Sequence, residues 1–575
     1  MTAAEIREKI LSAVAKNGGH LASSLGAVEL AMALRAEFDP DRDRVVWDVG
    51  HQAYAWKILT GRDAAFDTLR RLDGISGFPN PRESKADAAV AGHAGVALSV
   101  AEGLAAARDR KGTDEHVVAV VGDSAIANGT SFEALNNCVA ATKKVIVVLN
   151  DNDMSISKPA GSFARFLGRL TSGVRYNRVK NATKSTLAKL HLGVIYRVVH
   201  TLKGRVKSMV FRNVFFEQFG LHYIGPVDGH DVAALRAALV VAKEEKRSVI
   251  IHAVTKKGKG YAPAENDPTR WHGVGPFPVS TSASTSPSPS TSSLSWSGAF
   301  GEALCAAARE DARIVAITAA MKDGTGLDAF AAEFPDRFFD VGIAEGHMAA
   351  FAAGLAAGGL KPVVAVYSTF FQRAVDQVMH DVAISGLPVV FAVDRAGLVG
   401  ADGATHQGLY DIAMLRCLPN LTICQPKDAE DLGVLLKEAL DRKGPTVIRY
   451  PRGKCPSSIQ TPEHPNTPTT GFSIWAAGDQ LEKAYSVAAR IPGAEVVFAR
   501  YLKPFDAELL KRQRAAGRKI VSIENGAVAG GFGEAIGADV KFGWPDAFIP
   551  HGSFAELEKR YGFDVESIVE KLSHG

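Results

Sequence analysis

The chain has 575 residues, too many for one hydrophobic core, so several domains are expected. It is 46% hydrophobic and 22% charged with a net charge of +4, the composition of a globular enzyme. No apolar run reaches the roughly 18 residues a membrane helix needs, and the five cysteines form no CxxC pair and no zinc-ligand spacing. They read as reduced thiols, which with the rest predicts a cytoplasmic protein with no membrane partner.

In chain order, residues 1–10 read as a charged amphipathic helix rather than a signal peptide. An apolar run over 116–121 predicts a buried strand, 131–141 a helix, and Val145–Leu149 a second buried strand. Such a βαβ unit is right-handed and parallel in nearly all cases, so Asp123 and Asn152 emerge at the carboxyl ends of neighbouring strands. A carboxylate and an amide oxygen placed there suit a hard cation that brings phosphate oxygens with it. The alternative is an ordinary Rossmann-like loop with a surface Asn-Asp-Asn turn. From Lys158 to Phe216 there are thirteen Lys or Arg and no acid. This block reads as a flexible flap beside a site for phosphorylated substrates, in preference to an RNA- or membrane-binding segment, because its basic residues are irregularly spaced.

Residues 278–296, rich in Ser, Thr and Pro, read as a linker. Strands then recur at Arg313–Thr318, Pro362–Tyr367 and Pro388–Val393, with helical stretches at about 345–358 and 369–385. A second linker covers 455–470, and Phe472–Ala476, Glu495–Ala499 and Lys519–Ile523 form a third set. The expected architecture is α/β, with three open, mostly parallel-sheet domains at 1–277, 297–454 and 471–575.

Several blocks carry a likeness: Trp47–Tyr54, Gly122–Met154, Tyr223–Asp231, Tyr367–Arg373, Asp394–Gly403 and Tyr450–Gly453. In this order they resemble transketolase-like thiamine diphosphate enzymes, and within them the 1-deoxy-D-xylulose-5-phosphate synthase family. The resemblance implies a transferase of isoprenoid, thiamine and pyridoxal precursor synthesis. It decarboxylates pyruvate and joins the remainder to D-glyceraldehyde 3-phosphate, as a homodimer using thiamine diphosphate and Mg2+, with no nucleic-acid partner. It further implies a diphosphate-binding first domain and a pyrimidine-binding second domain. Asp123, Asn152 and Met154 would ligate the metal. His51, Gly92, His93, Ala94, Ser124, Ala125, Asn152 and Tyr261 would face the cofactor.

Glu345 matches the glutamate that pairs with the aminopyrimidine ring, although a glutamate at a helix start is also favoured by the helix dipole alone. His20, His406, His51 and His272 match positions for proton transfer. Tyr367, Arg373, Arg395 and Arg452 would grip the substrate phosphate and Asp402 would position a hydroxyl; surface ion pairing is the plainer alternative. The chain departs from family habit at Ser124, where glycine is usual, at Ala94–Ala97, where serines are usual, and at Gly346, where glutamine is usual. It also begins close to His20. A two-carbon-transferring transketolase and a catalytically idle cofactor-binding paralogue remain as alternatives.

Overall fold

The apolar runs become the central strands of parallel sheets, where burial on both faces favours continuous Val, Ile and Ala over alternation. The computed structural model describes residues 1–152, 214–278, 294–460 and 471–574. Met154, most of the basic segment 158–216, and much of both linkers lie outside the described residues. The chain groups into two compact units. One holds Met1–Leu69 and Ile75–Ser286; the other holds Arg70–Gly74 and Pro287–Gly575.

The first unit is built on β1 (Arg44–Trp47), β2 (Val117–Gly122), β3 (Ile146–Asp151), β4 (His222–Asp228) and β5 (Val249–Val254). Their order is β1-β2-β3-β5-β4, parallel throughout. Gly122 pairs with Asn150, so the chain leaves β2 and β3 at the same edge, carrying Asp123 and Asn152. The expected βαβ unit is present, its helix spanning Gly129–Ala141.

The second unit contains two sheets. β6 (Ile314–Thr318), β7 (Phe338–Asp340), β8 (Lys361–Tyr367), β9 (Val390–Asp394), β10 (Thr422–Cys424) and β11 (Thr446–Arg449) belong to the larger one. β12 (Phe472–Ala477), β13 (Glu495–Ala499), β14 (Tyr501–Lys503), β15 (Lys519–Ala527) and β16 (Val540–Trp544) follow. Of these, β14 crosses over to pair antiparallel with β10, making a seven-stranded sheet β14-β10-β11-β9-β8-β6-β7. The remaining four form β13-β12-β15-β16, parallel throughout. The stretch expected as one helix over 369–385 is instead broken into short α and 3₁₀ turns ending in a π turn at Val378–Ala383. All five cysteines are free thiols, and no described helix is long and apolar enough to cross a membrane.

Candidate active site

In the first unit, Asp123 is buried just past β2. Burial, then the nearby Asp151, push its carboxyl up to about 7, opposed by the Ser124 N–H and the Lys257 ammonium. Lys257 is itself buried, which pushes it down to about 8 against the pull of Asp123. Two further polar atoms here, Asn152 Oδ1 and Ser124 Oγ, are buried without a hydrogen-bond partner. A buried acid, an unspent amide oxygen and an unspent hydroxyl fit a hard divalent cation with a diphosphate. Among the described residues no three His, Cys, Asp or Glu side chains cluster for a metal.

Asp151 is committed elsewhere: its Oδ2 lies 2.8 Å from His252 Nε2, and His252 Nδ1 lies 2.8 Å from the Tyr223 hydroxyl. Ser124 is not among the residues with positive φ, so a serine here carries no left-handed strain.

Three histidines converge. The ring centres of His20 and His51 are 5.8 Å apart, those of His20 and His272 5.6 Å, and those of His51 and His272 5.1 Å. Local sequence explains the meeting. Gly19, at φ +149°, exchanges hydrogen bonds with Val274 at 2.8 and 2.9 Å, drawing His20 beside His272. A Cβ at Gly19 would stand 2.8 Å from the Tyr54 hydroxyl. Burial, with Lys257, His51 and His20 nearby, holds His272 well below the usual histidine range, which favours its neutral form. His51 follows Val49 at φ +57° and Gly50 at φ +83°. A β-branched residue in the left-handed region is strained by about 1–3 kcal/mol, which the surroundings must impose.

Asp48 supplies that constraint. Its buried carboxylate accepts from the N–H groups of Gly95 at 2.9 Å, Val96 at 3.0 Å and Ala97 at 3.0 Å. This fixes the Gly92-His93-Ala94 loop and caps the helix Ala97–Lys111. Ser131 Oγ bridges that loop to the next, lying 3.1 Å from the Gly95 carbonyl and 2.9 Å from that of Ala125. Gly95 is obligatory: at φ +84°, a Cβ would stand 2.5 Å from Asn128 Oδ1. Tyr261 packs edge-on against Trp271 at 5.3 Å.

In the second unit, Glu345 opens the helix Glu345–Ala357 and is buried. Burial raises its pKa and the Arg373 charge opposes this. Its Oε2 has no hydrogen-bond partner and lies 3.7 Å from Arg373 Nε. A Cβ at Gly346 would stand 3.0 Å from the Gln377 amide oxygen, so Gln377 occupies the room a larger side chain would take.

A second cluster collects around Arg395, which follows β9 with φ +55°. Its guanidinium carbon is 3.5 Å from the Tyr367 ring centre, and its Nη1 is buried without a hydrogen-bond partner. Asp402 Oδ1 accepts from Arg70 Nη2 at 2.5 Å, and its Oδ2 lies 3.9 Å from Arg452 Nη1. His406 Nδ1 is 2.9 Å from the Thr405 hydroxyl. Burial lowers the His406 pKa; Asp402 opposes this, while Arg70, Arg395 and Arg452 add to it. The half-buried Arg395 with its uncommitted Nη1, and the more exposed Arg452 beside Asp402, make a receptor for a dianionic group.

Asp48, Lys257 and Arg70 belong to these clusters and escaped the sequence reading. Asp48 lies inside the Trp47–Tyr54 block and Lys257 four residues before Tyr261, and their burial was the missing signal. Nothing near Arg70 in the sequence points to Asp402.

An α/β fold with parallel sheets and an acid-amide site at the strand ends defines a transketolase-like thiamine diphosphate enzyme. The family profile for 1-deoxy-D-xylulose-5-phosphate synthase matches residues 1–255, that for the transketolase pyrimidine binding domain 292–457, and that for the transketolase C-terminal domain 470–568. The 1-deoxy-D-xylulose-5-phosphate synthase of Symbiobacterium thermophilum is 46% identical over 99% of this chain and 91% of its own. That of Desulforudis audaxviator is 43% identical over 99% and 93%. A solved transketolase from Leishmania mexicana aligns at 20% identity over 100% of this chain and 97% of its own, with a TM-score of 0.45. The chain belongs to the 1-deoxy-D-xylulose-5-phosphate synthase family.

Proposed function

We propose that the chain decarboxylates pyruvate and joins the retained two-carbon unit to D-glyceraldehyde 3-phosphate, giving 1-deoxy-D-xylulose 5-phosphate and CO2. Thiamine diphosphate, when bound, supplies the electron sink that this decarboxylation requires. The observation that carries the reading is Glu345 Oε2, a buried carboxylate oxygen without a hydrogen-bond partner in a member of this family. Such an atom is costly unless something binds it, and an aminopyrimidine nitrogen is a suitable mate.

Asp123 and Asn152 would hold Mg2+, with Met154, outside the described residues, as the further ligand the family resemblance implies. Ser124, Ala125, Gly92, His93 and Ala94 line the diphosphate, and Tyr261 borders it. His20, His51 and His272 move protons at the reacting carbons, the neutral state of His272 suiting it to accept one. Arg395 and Arg452, with Tyr367 and Arg373, bind the acceptor phosphate; Asp402 orients a hydroxyl and His406 handles its proton. The division into domains at 1–277, 297–454 and 471–575 belongs to the same reading. So do a cytoplasmic location and a homodimer, the latter supported by the exposed apolar side chains of Met379 and Ile384.

Incubation with pyruvate, D-glyceraldehyde 3-phosphate, thiamine diphosphate and Mg2+, followed by mass analysis, tests the proposal. 1-Deoxy-D-xylulose 5-phosphate should form. Equal turnover of a ketose phosphate donor in place of pyruvate would instead favour two-carbon transfer.

A further inference from the structure

The four-stranded C-terminal sheet has no part in the chemistry above, yet one of its residues reaches the acceptor cluster. Asn525, near the end of β15, is buried and commits both ends of its amide. Oδ1 accepts from the Leu398 N–H at 2.9 Å and from Trp544 Nε1 at 3.0 Å; Nδ2 donates to Asp479 Oδ2 at 2.9 Å. Leu398 lies in the loop that starts at Arg395 and carries Asp402 and His406. Reciprocal hydrogen bonds between Gly397 and Gly408, at 2.6 and 2.8 Å, close that loop at its base.

The approach is too close for any residue but glycine. Gly397 has φ +92°, and a Cβ there would stand 2.2 Å from Asn525 Cγ. Behind the contact, the Asn525 carbonyl accepts from Arg449 Nη2 at 2.9 Å, and Arg449 forms a fully buried ion pair with Asp411. The anchor is therefore stiff on the side facing away from the loop.

We infer that Asn525 is a positioning residue. From the C-terminal sheet it sets the placement of the loop bearing Arg395, Asp402 and His406, and so governs affinity for the phosphorylated acceptor. The inference rests on the proposed role of that loop. A loop carrying several proposed acceptor contacts transmits a small displacement to all of them, while the residues proposed to face the cofactor and the histidines His20, His51 and His272 lie on other elements.

Steady-state kinetics on the full-length holoenzyme test this. In Asn525→Ala and in Gly397→Ala, which presses on the same side chain from the loop, KM for D-glyceraldehyde 3-phosphate should rise roughly tenfold or more. KM for pyruvate and binding of thiamine diphosphate should stay within about twofold of wild type. Trp544→Phe removes the other donor to Oδ1 without touching the loop and should leave the acceptor KM near wild type. Should Asn525→Ala fail to fold, Gly397→Ala decides. An unchanged acceptor KM in a folded variant, or an equal rise in Trp544→Phe, overturns the inference. Arg395→Ala separates the two layers. If it raises the acceptor KM and Asn525→Ala does not, the positioning role alone falls. If Arg395→Ala has no effect, the acceptor-site reading falls and this inference with it.

Discussion

Arg373 Nε lies 3.7 Å from Oε2 of Glu345, close enough to bias the charge of that carboxylate without satisfying its hydrogen bonds. Burial raises the Glu345 pKa and Arg373 is the charge that holds it back. In Arg373→Ala, burial is opposed only by the backbone hydrogen bond to the carboxyl. The Glu345-dependent limb of the kcat–pH profile should therefore move to higher pH. A limb that stays in place, or moves to lower pH, would show that Arg373 does not bias this carboxyl.

Asp48 accepts three backbone N–H groups in a buried site. Asp48→Ala leaves all three without an acceptor and removes the charge at the start of the Ala97–Lys111 helix. The expected loss of stability is on the order of 3–5 kcal/mol by urea unfolding, with weakened thiamine diphosphate binding in whatever folds. Asp48→Asn, which keeps one oxygen, should lose less.

The fold was largely legible in the sequence because parallel strands buried on both faces are unbroken apolar runs, as in residues 117–121 and 146–149. What escaped was decided by tertiary contact. β14 is only three residues long and joins the larger sheet rather than its sequence neighbours, which no local pattern signals. The 369–385 stretch has helical composition but breaks into short turns. At the site, the family resemblance pointed to His20, His51 and His272, whose rings lie 5.1–5.8 Å apart beside the Gly19–Val274 bridge. Arg70 carried no signal, because its partner Asp402 lies 332 residues away.

Glu524 offers a pH test of stability. It is buried, and burial raises its carboxyl to about 7 from 4.5, against the N–H groups of Gly533 and Phe532. The folded state thus holds the proton more tightly than the unfolded chain. Its contribution is fully present below about pH 4.5 and is lost as pH rises to about 7, on the order of 3 kcal/mol. Urea midpoints between pH 5 and 8 should fall less steeply for Glu524→Gln than for wild type. Equal slopes would show that Glu524 ionises normally in the fold.

Arg70 donates to Asp402 and to the Ala401 carbonyl, the latter at 3.3 Å. In Arg70→Ala, kcat/KM for D-glyceraldehyde 3-phosphate should drop roughly tenfold to a hundredfold, because Asp402 loses the cation that orients it. Cofactor affinity should be unchanged. An equal loss in thiamine diphosphate binding would indicate general disruption instead.

The most direct test of the account is CO2 release from labelled pyruvate, with thiamine diphosphate and Mg2+, measured with and without D-glyceraldehyde 3-phosphate for wild type and Glu345→Ala. Release should depend on the aldehyde in wild type and fall at least about a hundredfold in the variant. No release from a wild-type protein that binds the cofactor, or undiminished release from Glu345→Ala, would contradict it.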